Sequence, residues 1–98
     1  MNDDLLAEIE DVGRRRTAVH NRRNELEERV RSLRRAAESD LYEIGHVIYQ
    51  TQAKQLKERA EQQQAKADAL EPEIAAIVAT IEEFDKHETE LRRRMLEP

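Results

Sequence analysis

Apolar residues at alternating spacings of three and four limit this chain more than any other feature. Leu5, Ile9, Val12, Val19, Leu26, Val30, Leu33 and Ala37 share one heptad frame, and Arg16 and Arg23 occupy two of its core slots. A second frame runs from Ala53 through Leu56, Ala60, Gln63, Ala67, Leu70, Ile74, Ile77, Ile81, Phe84, Glu88, Leu91 and Met95. Such spacing gathers the apolar side chains along one face of an α-helix, whereas a strand needs strict alternation. The two frames do not join, because the first predicts a core slot at 51 and the second at 53. A change of packing partner is expected there.

Charged residues make up 40% of the 98 and aromatics 3%. That charge load alone would suit a disordered chain. The abundance of Ala, Leu, Glu, Arg, Gln and Lys, all strong helix formers, decides for helix. The length suits one helical domain over 1–98, not two independent cores. With no cysteine there is no disulfide framework, thiolate zinc site or thiol nucleophile. The start, "MNDDLLAEIE", is acidic and lacks the apolar run of a secretion signal, and the longest apolar run, 74–79, is too short to span a bilayer. A cytoplasmic protein without membrane contact is the expectation.

Pro72, in "DALEPEIAAI", is the strongest breaker in the sequence. Inside a helix proline removes a hydrogen bond and clashes with the preceding turn, whereas the first helical turn accepts it. The last helix is therefore expected to start at 72. The expected architecture is all-α: a helix over about 3–69, a turn at 70–71 and a helix over about 72–96. Ser39-Asp40, with Glu43 three residues on, is a rival turn at 38–40, ranked below a continuous helix because no glycine or proline accompanies it. In this arrangement the large residues Ile74, Ile77, Ile81 and Phe84 face the small stretch Ala60, Ala65, Ala67 and Ala69. Residues 3–40 then lack a cover within the chain. A lone amphipathic helix is marginal in water, so a second copy is expected to supply the cover, giving a dimeric helical bundle.

The stretch "LYEIGHVIYQ", 41–50, holds both tyrosines, one of two glycines and one of three histidines. Read as helix, it is apolar nearly all round, with only Glu43, His46 and Gln50 forming a polar stripe. Leu41, Tyr42, Ile44, Gly45, Ile48 and Tyr49 are the expected interface, with Gly45 a notch between two rings where another backbone comes close. Glu43 and His46 also make an E-x-x-H, the ligand spacing of di-iron bundles. Among 22 acidic residues such a spacing arises by accident, so no metal or other cofactor is expected.

Residues 13–36 hold nine arginines against Glu25, Glu27 and Glu28, a balance of +6 in a chain of net charge -5. Arg14, Arg15, Arg16, Arg22 and Arg23 are candidate phosphate-backbone contacts. The arm keeps its apolar seam and has no aromatic residue to stack on bases, so pairing with acidic segments competes with nucleic-acid binding. A third role for Arg16 and Arg23 is to set register from the core slots. No catalytic triad or phosphate-binding glycine loop is present, and no enzyme is expected.

Tyr42, Ile44, Gly45, Ile48 and Tyr49, followed by the proline-started "EPEIAAIVATIEEF", resemble the helical region of small bacterial coiled-coil proteins that carry a zinc-ribbon tail. The resemblance covers about residues 30–90 and implies a helical hairpin. No cysteine follows, so it implies no zinc ribbon here. The expected function is a non-catalytic scaffold or adaptor, self-associating as a dimer or pairing with another coiled-coil protein. The alternative is nucleic-acid association through the basic arm.

Overall fold

A computed structural model describes residues 3–97. The chain forms two α-helices, α1 (Asp3–Ile44) and α2 (Gln50–Leu96), and there is no strand among the described residues. Residues 45–49 form the turn that folds α2 back on α1 as a hairpin. Asp3 and Asp4 lie in the first turn of α1, and Arg93 and Arg94 in the last turn of α2. Each pair complements the partial charge that unpaired backbone groups leave at that helix end.

The turn is not where the proline suggested. Pro72 lies inside α2, exposed, and neither 70–71 nor 38–40 interrupts a helix. Two sequence features explain the position at 45–49. Gly45, His46, Val47, Ile48 and Tyr49 are five consecutive residues without one strong helix former. The offset of the two frames, two positions or ~200° around a helix, would also put the seams of one continuous helix on nearly opposite sides. The frame break marks the turn itself, not an exchange of partners along an unbroken helix. At the end of α1 the backbone tightens, with Gly45 N donating to Tyr42 O at 3.3 Å and His46 N to Glu43 O at 2.8 Å. These three-residue closures satisfy carbonyls that a helix end leaves open. The first bond of α2 runs from Ala53 N to Tyr49 O at 3.2 Å.

Of the described residues, 3–24 and 75–97 form one compact unit, and 25–74 the other. In the first, Ile9 and Val12 pack with Leu91, which has no exposed surface, and Leu5, Phe84 and Met95 close around them. In the second, Leu26, Val30, Ala37 and Asp40 of α1 are buried, as are Ala60 and Ala67 of α2. Residues 3–40 therefore have a cover within the chain. The expected pairing of Ile74–Phe84 with the alanine stretch does not form, since both lie on α2. Ala60 and Ala67 turn to the α1 seam, while Ala65 and Ala69 are exposed.

Polar residues in and beside core slots pair across the hairpin. In the first unit Arg16 donates to Asp85 at 2.9 Å and to Glu88 at 2.7 Å, and Glu88 also accepts from Arg92. In the second, Arg34 reaches Asp68 and Glu71, and Asp40 accepts two bonds from Arg59, at 2.8 and 2.5 Å. Asp40 continues the first frame and is 6% exposed. The bases lie on α1 in the first two sets and on α2 in the third. Sliding one helix past the other would separate every pair, so these contacts select one register. Gln63 fills another slot, and its Oε1 is buried without a hydrogen-bond partner.

The Arg59 hydrogen bonds, opposed by desolvation, hold the Asp40 carboxyl below its ordinary value of 3.8. A folded carboxyl with a lowered pKa binds its proton less readily than the unfolded one does. Its stabilisation is complete above the ordinary value and disappears as pH falls through the folded one. The urea midpoint followed by circular dichroism should therefore fall as pH drops below about 3.8. Asp40→Asn should remove the Asp40 share of that acid dependence and leave the share of Glu28 and Glu90, whose carboxyls Arg31 and Arg93 also hold below the ordinary value.

Candidate interaction surface

Among the described residues six large apolar side chains are conspicuously exposed, and four of them lie at or next to the turn: Leu41 (44%), Tyr42 (72%), Ile48 (89%) and Tyr49 (68%). The other two, Leu6 and Leu96, belong to the unit that holds the chain ends. Of the expected interface, Leu41, Tyr42 and Ile44 close α1, with Ile44 half-buried, and Gly45, Ile48 and Tyr49 lie in the turn. The six therefore lie at the end of α1 and in a hairpin turn open to solvent, not within one helix.

The glycine notch does not form. Gly45 is past the end of α1 and exposed, and its φ is not positive. A Cβ built there meets only the Tyr42 carbonyl oxygen, at an ordinary 3.6 Å. Within the chain, glycine serves here as a weak helix former.

A groove of about 370 Å³ is lined by Glu43, Val47, Gln52, Gln55, Leu56 and Arg59, none of them among the four exposed apolar residues. Val47 and Leu56, both half-buried, supply its apolar part. The groove belongs to the same unit as the exposed cluster. The tyrosines and the frame break were legible in the sequence. The groove was not, because its lining comes together only when α2 turns back.

Glu43 and His46 do not share a helical face, since α1 ends at Ile44 between them. His46 Nδ1 sits 3.1 Å from the Tyr42 carbonyl oxygen, where an N–H on that nitrogen donates, and its ring lies 4.7 Å from the Tyr42 ring. The imidazole thus covers a carbonyl at the end of α1, which carries no basic residue in its last turn. Among the described residues no group of three or more His, Cys, Asp or Glu is placed to hold a metal ion.

The five arginines differ in exposure. Arg14 and Arg15 are exposed and pair with Asp11 one turn before them, at 3.7 and 3.1 Å. Arg22 is exposed as well. Arg16 and Arg23 are half-buried, and Arg16 is directed at the acids of α2. Hydrogen bonding by Asp85 and the charge of Glu88 raise the Arg16 pKa further above its usual value. Arg16 therefore acts across the hairpin, whereas Arg14 and Arg15 pair within α1.

No helix among the described residues is long and apolar enough to cross a membrane. No protein-family model, curated protein or solved structure matches the chain.

Proposed function

We propose that this chain is a non-catalytic coiled-coil scaffold or adaptor that engages a protein partner through its turn. The observation that carries this reading is the contrast between seam and turn. The seams are covered within the chain, while Leu41, Tyr42, Ile48 and Tyr49 stand exposed together. Clustered aromatic and aliphatic anchors are what protein interfaces concentrate their binding energy in. Self-association as a dimer uses the same surface, and another coiled-coil protein is the other candidate partner. A non-catalytic role fits the absence of a triad or phosphate loop in the sequence. Nucleic-acid association draws less support, because Arg14, Arg15 and Arg16 already have acidic partners.

Photo-crosslinking amino acids placed at 42, 49 and 22 in cells separate the two readings. Positions 42 and 49 should yield protein adducts, and position 22 should yield no nucleic-acid adduct. Adducts to nucleic acid at 22, with none to protein at 42 or 49, would reverse the assignment.

A further inference from the structure

We draw no further inference here: the strongest candidate, the exposed apolar patch of Leu41, Tyr42, Ile48 and Tyr49 at and beside the hairpin turn, carries none because nothing in the structure shows what covers it.

Discussion

Pro72→Ala is expected to stabilise the hairpin by about 2–3 kcal/mol. Proline inside a helix lacks the N–H that would bond four residues back, and its ring crowds the preceding turn, at a cost of ~3 kcal/mol relative to alanine. Part of that is offset because proline also restricts the unfolded chain, by ~1 kcal/mol or less. Position 72 is exposed and remote from the ends of α2, so alanine introduces no clash. A proline on the outer face of a helix leaves the packed face intact, which is how this one is accommodated. Equilibrium urea denaturation should show a higher midpoint with an unchanged slope. The sign matters beyond the magnitude, because a proline at the first turn of a helix gains little from replacement by alanine. A neutral or destabilising result would place a helix boundary at 70–72.

Leu91→Ala should act in the opposite direction, destabilising by about 2–5 kcal/mol. Leu91 is the largest side chain with no exposed surface, and it fills the space between Ile9 and Val12. Truncation removes buried methyl groups and leaves a cavity that surrounding side chains fill only partly. Domains are stable by only about 5–15 kcal/mol, so the loss is a large fraction of the total. Leu96→Ala is the control. Leu96 is 87% exposed, and its removal should change stability by less than about 0.5 kcal/mol. Equal effects of the two substitutions would contradict the packing in the unit that holds the chain ends.

The periodicity made much of this fold legible. Residues 9, 12, 26, 30, 37, 60, 67, 81 and 91, taken from the two frames, are the buried hydrophobic positions. Polar slots were legible too, since Arg16 and Glu88 sit in frame and meet each other across the hairpin. The turn was misjudged because two signals competed. Proline is the stronger breaker locally, yet an exposed proline on the outer face of a packed helix costs only a few kcal/mol, and tertiary contact on the other face outweighs it. The run Gly45–Tyr49 has no single strong breaker, only five weak helix formers beside a frame offset. Misplacing the turn then made 3–40 look uncovered and 41–50 look like part of a continuous helix. Asp40 was missed as a core residue because a carboxylate in a seam slot gains its partner, Arg59, only from the returning helix. The apolar character of 41–49 was legible throughout. Its exposure depends on where the chain reverses.

The distance between spin labels on Ala7→Cys and Arg94→Cys tests the reversal at 45–49 most directly. Both positions are exposed and belong to one unit, so labels there disturb no seam contact. Labelled chain diluted in excess unlabelled chain restricts the signal to pairs within a molecule. The hairpin described here sets the two positions level on neighbouring helices whose axes are ~10 Å apart, and a short distance is the predicted result. A turn at 70–72 would bring position 94 near residue 48, leaving the labels ~60 Å apart along an unbroken helix. A distance of that size would contradict the account, and with it the exposure of the turn on which the proposed docking depends.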